Sequence, residues 1–227
     1  MKIGILQTGP VPDDLVETHG QYPEMFVRML KPFGFEFATW PVLDGTFPDS
    51  VEDAHGWLIT GSRHGVYEDH DWLPPLRDFV RRAYAAERPL VGICFGHQLI
   101  AQALGGQVEK FANGWSVGPT TYHFPDGDKV IHAYHQDQVI TPPEGAQTIA
   151  HSDFCKHAAL YYPGRAYSVQ PHPEFDDSYT RALLETRGPG VVPDDRLAKA
   201  AADLGTPLNS PEIAQQIARF FRERTIQ

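Results

Sequence analysis

The chain is short of cysteine, of basic charge and of long apolar runs. Only two cysteines occur in 227 residues. No disulfide framework is possible at that count, and no secretory leader is recognisable at the N-terminus. Together these features imply a reducing, cytoplasmic setting. Lys and Arg number 19 against 29 Asp and Glu, a formal net charge of −10. Phosphate recognition needs clustered cations, so nucleic acid and acidic membrane surfaces are excluded as expected partners. The two basic stretches, Arg77 to Arg88 and Arg219 to Arg224, interleave with apolar residues at helical spacing and read as solvated helix faces. No apolar run reaches the roughly 18 residues of a membrane-spanning helix. Neither GxGxxG nor HExxH occurs, so no dinucleotide site, no catalytic metal and no cofactor are expected. The histidines at 123, 132, 135, 151 and 157 crowd in sequence, but without zinc-ligand spacing.

What is present reads as one large α/β domain over residues 1–227, with a helical C-terminal extension from about 177 to 227. Short apolar runs (2–8, 35–41, 57–60, 90–93) alternate with amphipathic stretches (22–33, 72–86, 97–104). This rhythm predicts a mostly parallel open sheet with helices on both faces. From Gln107 the runs become short and turn-separated (108–111, 117–124, 129–133, 139–140, 148–151, 159–162, 166–170), and several are expected to pair antiparallel at the edge of the same sheet. Helices are predicted over 176–186, 194–204 and 211–224, the last with Ser210 as its N-cap.

Chemistry concentrates at Gly92-Ile93-Cys94-Phe95-Gly96. A potential nucleophile stands between two glycines, after a strand and before a helix, in the layout of a nucleophile elbow. Such a turn presents the thiol at the carboxyl end of a strand and at a helix N-terminus, whose partial charge favours thiolate. A thiol nucleophile needs a base, and the base an orienting group. Among 11 histidines, two have a carboxylate two residues on: His135-Gln136-Asp137 and His172-Pro173-Glu174. The residue pattern leaves them nearly tied, with the prolines flanking His172 slightly favouring it. Cys155 has no such turn and reads as structural. Arg63, His64, Tyr67 and Glu68 read equally well as substrate contacts or as a solvated loop.

Gly92-Ile93-Cys94-Phe95-Gly96-His97-Gln98 and Gln170-Pro171-His172-Pro173-Glu174, 78 residues apart from cysteine to histidine, resemble the paired signatures of class I glutamine amidotransferases. The resemblance spans roughly residues 3 to 176. It implies a flavodoxin-like core with added antiparallel edge strands. It implies Cys94 as nucleophile, His172 as base and acid, and Glu174 as its orienter, which breaks the tie with His135. It implies an oxyanion hole from the loop at Gly61 and Ser62 and from the Phe95 N–H. Gln98, the Trp115-Ser116-Val117 segment, His135 and Asp137 are expected to line the substrate site. Two positions depart from the family pattern: Ser62 stands where a second glycine is usual, and Pro171 where an aromatic residue is usual. The function so implied is cleavage of the glutamine γ-amide through a γ-glutamyl thioester, with ammonia passed to a separate synthetase, since none is fused to this chain. A free-standing γ-glutamyl peptidase or hydrolase is the alternative, and a non-catalytic binding domain a third.

Overall fold

The computed structural model describes residues 1–226; Gln227, the last residue of the expected extension, lies outside them. The strands are β1 (Lys2–Gln7), β2 (Glu36–Pro41), β3 (Gly56–Ile59), β4 (Leu90–Ile93), β5 (Gln107–Lys110), β6 (Ser116–Phe124), β7 (Gly127–His135), β8 (Asp137–Thr141), β9 (Gln147–Ala150), β10 (Ala159–Tyr162) and β11 (Ala166–Val169). The helices are α1 (Asp13–His19), α2 (Tyr22–Leu30), α3 (Leu73–Ala85), α4 (Phe95–Ala103), α5 (Asp177–Thr186), α6 (Asp194–Asp203) and α7 (Ser210–Glu223).

Seven strands form one sheet in the order β2-β1-β3-β4-β11-β10-β9. The first five run parallel; β10 and β9 continue antiparallel. The leading order matches the flavodoxin-like 2-1-3-4-5 pattern, with β11 in fifth place. The central strands β3, β4 and β11 are buried at every position, as expected of parallel strands covered on both faces. The antiparallel expectation holds for β9 and β10 only. The β5–β8 and β6–β7 pairs form separate two-stranded sheets. In β6 and β7 a turn at Phe124 to Gly127 closes a hairpin of two nine-residue strands, whose outer backbone is joined to the rest of the fold by bridges from His123 to His151 and from His132 to His172.

Each face carries its own core. On one, α2 and α7 set Phe26, Leu30, Ile213, Ile217, Phe220 and Phe221 against Ile3, Ile5, Leu58, Val91 and Ile93. On the other, α3 and α4 set Leu76, Phe79, Val80, Leu99 and Ile100 against Leu6, Trp57, Ile59 and Leu90. Helix α7, placed by sequence in an extension, therefore closes a face of the sheet. It begins at Ser210, and Asn209, not Ser210, holds the cap position. Asn209 is fixed there because its backbone N–H and side-chain Oδ1 both bond to the Val130 backbone. Helix α1 was not anticipated. A third cluster of Val11, Leu15, Met25, Phe175, Tyr179 and Leu183 packs α1, α2 and α5 together above the strand ends. Among the described residues no helix is long and apolar enough to cross a membrane.

Candidate active site

Three adjacent parallel strands deliver the site. Gly61 and Ser62 follow β3, Cys94 follows β4, and His172 lies three residues beyond β11. The sheet order β3-β4-β11 thus brings together residues that are 32 to 78 positions apart in sequence from Cys94. The Cys94 N–H donates to the Val169 carbonyl at 2.9 Å, so the cysteine's backbone is anchored to the strand that leads to the histidine.

The elbow has a specific reason for its glycines. Cys94 itself takes an unfavourable positive-φ conformation (φ 52°, ψ −102°), the kind of strain that sites retain when the surroundings over-determine it. Neither glycine has positive φ; both are needed for close approach. A Cβ on Gly92 would meet the Gly96 carbonyl oxygen at 2.4 Å, and one on Gly96 would meet the Ile59 carbonyl oxygen at 2.4 Å. Strand and helix close to contact only because both positions lack side chains. Helix α4 starts at Phe95, so the Phe95 N–H has no intrahelical acceptor.

His172 is 4% exposed. Its Nδ1 lies 2.8 Å from Glu174 Oε1, which leaves Nε2 to face Cys94. Phe175 stacks on the imidazole at 4.0 Å and 7° and is braced in turn by Tyr179. Asp176 caps α5 by accepting from the Tyr179 N–H at 2.8 Å, so the helix that carries the brace starts in register with the histidine. Burial works against the charge on His172, but the Glu174 carboxylate and the Cys94 sulfur outweigh it and push the imidazole up to about 10. The arrangement favours an imidazolium beside the sulfur at neutral pH.

His135 sits differently. Its Nδ1 lies 3.2 Å from the Asp137 backbone oxygen, not the carboxylate. Burial pushes it down to about 3, so it is neutral. The Asp137 carboxylate instead turns towards Tyr67, beside Gly65. Geometry therefore separates the two histidines that the residue pattern left tied.

The remaining expected residues divide. A Cβ built on Gly61 would stand 3.0 Å from His172 Cε1 and 3.9 Å from the Cys94 Cβ, so the Gly61–Ser62 loop faces the pair. The Gly61 carbonyl is turned away, accepting from the Thr8 and Thr60 hydroxyls at 3.1 and 3.0 Å. This buried pair of threonines orients the loop and was missed; nothing in the spacing of residues 8 and 60 marks them as neighbours. Gln98 Nε2 donates to the Asp137 carbonyl at 2.9 Å and to Gln170 Oε1 at 3.0 Å, tying α4 to both flanking segments. Ser62, Cys94, Gln98, Trp115, His135, Asp137 and His172 all line one cleft of about 690 Å³. Ser116 and Val117 do not line it; they pair with His135 and Tyr134 in the β6–β7 hairpin. The far wall comes from residues that sequence reading missed: Val11, Tyr22, Tyr134, Phe175 and Leu183. Among the described residues, only His123 and His151 of the crowded histidines pack together, with ring centroids 5.1 Å apart, and none of the five joins a three-donor group. His123 Nδ1 meets Asp128, His157 Nδ1 meets Thr148, and His132 Nε2 lies 2.9 Å from Asp177.

A family model described as glutamine amidotransferase class-I matches residues 14–186. Gamma-glutamyl peptidase 4 of Arabidopsis thaliana is 32% identical over 177 residues, 70% of each chain. The glutamine-hydrolyzing GMP synthase subunit of Sulfolobus acidocaldarius is 30% identical over 165 residues, 68% of this chain and 85% of that one. In fold, the chain is similar to a crystal structure of a glutamine amido transferase from Methylobacillus flagellatus, with TM-score 0.77 and 19% identity over 99% of this chain and 95% of that one.

Proposed function

The chain belongs to the class-I glutamine amidotransferase family, and from that premise we propose that it is a cysteine-dependent γ-glutamyl hydrolase acting on γ-glutamyl peptides or conjugates. The observation that carries this reading is the size and lining of the cleft. At about 690 Å³ it lies within the range of roughly 300–1,000 Å³ that takes drug-sized ligands, well beyond one amino-acid side chain. Its outer part offers apolar and aromatic walls at Trp115, Tyr134 and Leu183, and charge of both signs at Arg63, Lys110, Glu68 and the paired Arg187 and Asp14. A residue attached through the glutamyl γ-carbonyl would find both packing and charge there.

In this reading the Cys94 thiolate adds to the γ-carbonyl carbon. The oxygen takes the electron pair and is held by the Ser62 and Phe95 N–H groups. His172 Nε2 gives its proton to the departing amine, the C–N bond breaks, and a γ-glutamyl thioester remains on Cys94. His172, now neutral, takes a proton from water as it attacks the thioester. Glutamate leaves, and the thiolate and imidazolium are restored. Glu174 keeps Nδ1 protonated and the ring aligned throughout.

A second reading is favoured by the likeness to a glutamine-hydrolyzing GMP synthase: the same chemistry on glutamine, with ammonia handed to a separate synthetase. Glutamate release from glutamine and from a panel of γ-glutamyl dipeptides separates the two, with Cys94→Ala as blank. We expect dipeptides to be preferred by about tenfold or more in kcat/KM, the scale that one well-packed extra group provides. Preference for glutamine would sink the peptidase reading and favour the ammonia donor.

A further inference from the structure

The loop between β3 and α3 holds a group of donors outside the machinery above. His64, Glu68 and His70 each bring one donor atom within 4.8 Å of the other two. Glu68 Oε2 is 3.2 Å from His64 Nδ1 and 2.7 Å from His70 Nε2. We propose that these three side chains form a binding site for a divalent metal ion of the zinc type at the rim of the cleft. This departs from the sequence expectation of no metal, which weighed the histidines at 123 to 157 and not this trio.

Two imidazoles and one carboxylate are a ligand set that zinc takes in sites with an open fourth position. Bonds of about 2.0–2.1 Å set neighbouring tetrahedral donors roughly 3.3 Å apart. The His64–Glu68 separation already matches, the Glu68–His70 contact needs to open by about 0.6 Å, and the His64–His70 pair, within 4.8 Å, needs to close by at most about 1.5 Å. The trio is half-exposed, at 22%, 41% and 31% for the three side chains in order, so an ion can reach it.

The donors are also held. His70 stacks on Trp72 at 5.7 Å and 15°, and Trp72 packs on Phe95 at 5.7 Å. The His64 N–H donates to Ser62 Oγ at 3.2 Å. The Glu68 N–H donates to the Gly65 carbonyl at 3.1 Å. Such outer contacts fix ligand orientation in metal sites. His64 and Glu68 both line the cleft, so the fourth position opens towards it, to water or to an anionic group of a bound molecule. The ion would sit in contact with the loop that carries Ser62 and, through Trp72, next to Phe95.

The test is zinc binding by the full chain after chelator stripping, read by competition with a chromophoric chelator. It is done in the Cys94→Ala background, because the Cys94–His172 pair could itself bind zinc. We expect one equivalent per chain with Kd of about 1 µM or below. His70→Ala and Glu68→Gln should each weaken binding at least about tenfold, the loss that even an outer contact's removal brings. Far-UV circular dichroism checks that the variants fold. With cobalt(II) in place of zinc, the visible bands of a tetrahedral site should appear in the parent and vanish in His70→Ala. No stoichiometric binding, or an affinity unchanged in both folded variants, would overturn the proposal and leave the trio as histidines hydrogen-bonded to a carboxylate.

Discussion

The floor and the rim of the cleft are built in opposite ways. On the floor, Cys94, Gln98 and His172 are nearly inaccessible, and each is tied to sheet strands or to the segments that leave them. On the rim, Arg63, Tyr67, Glu68 and Lys110 are exposed and reach the cleft on loops or on the edge of a small two-stranded sheet. The difference teaches where each property resides. The sheet order brings the Gly61–Ser62 loop, Cys94 and His172 together, because they follow three neighbouring strands, and in the proposed reaction these are its three parts. In the same reading the rim governs what is admitted, because its long side chains can change without disturbing the central strands.

That division is broken most directly at the floor. Cys94→Ala should lower glutamate release by about 10⁴-fold or more, as loss of a nucleophile does in comparable machinery. Residual turnover within tenfold of the parent would place the chemistry elsewhere. Glu174→Gln should cost about 10²–10⁴-fold in kcat, with little change in fold, since the amide keeps the shape and loses the charge. It should also move the alkaline limb of the pH–rate profile. The His172 proton required by the leaving amine is lost as pH rises through about 10 in the parent. Glu174 is one cause of that elevation, so the limb should shift to lower pH in the variant. An unmoved limb would mean that another group controls it. The same elevation also stabilises the fold. That contribution is fully present below the unfolded value of 6.5 and is lost as pH rises through about 10.

Smaller effects test the packing below the floor. Gly96→Ala should destabilise by about 1–3 kcal/mol, because its Cβ meets the Ile59 backbone and not a side chain that could swing away; a thermal melt reads it. His97 and His135 are buried neutral, and burial pushes both down to about 3. Below the unfolded value of 6.5 the unfolded chain binds protons that the native state refuses. Their contribution, present above about 6.5, should therefore drain away as pH falls towards 3. Urea midpoints between pH 7.5 and 4.5 should drop, and His97→Asn should flatten that slope. A slope unchanged by the substitution would assign acid lability to other groups.

Legibility in the sequence followed the same division. Leu90 to Ile93 and Ala159 to Tyr162 could be bounded correctly from apolar runs and flanking turns, and the strand–turn–helix around Cys94 showed in its glycines. Local chemistry marks such features. The pairing of β5 with β8 and of β6 with β7 did not show, because short strands carry no signal for which neighbour they choose. Helix α1 escaped because seven residues with a single buried side chain, Leu15, give no periodicity to detect. Thr8 with Thr60 and Phe175 on His172 escaped for a further reason. The first pair depends on the neighbouring placement of β1 and β3, the second on where α5 begins, and both are consequences of the fold and not of local pattern. Of the trio His64, Glu68 and His70, the sequence marks the first two as substrate contacts or a solvated loop and passes over His70, because convergence of side chains on one loop depends on how the loop folds.

The rim prediction has the smallest expected effect and sharpens the comparison most. Trp115 lies on the cleft wall, packed edge-on against Tyr134 at 5.7 Å. Its carbonyl accepts from Arg196, whose guanidinium also bonds the Asn113 carbonyl at 3.0 Å and lies over Phe154. The backbone there is thus held by α6, and trimming the indole should leave the segment in place. If the outer cleft binds whatever is joined to the γ-glutamyl group, Trp115→Ala should raise KM for γ-glutamyl dipeptides with bulky second residues by about tenfold, the worth of one packed group. It should leave kcat nearly unchanged, because the contact is equal in the ground and transition states. Glutamine, which ends at the scissile amide, should show no such change. An equal loss on both substrates would mean that Trp115 supports the floor, and the separation of chemistry from admission would fail at that residue.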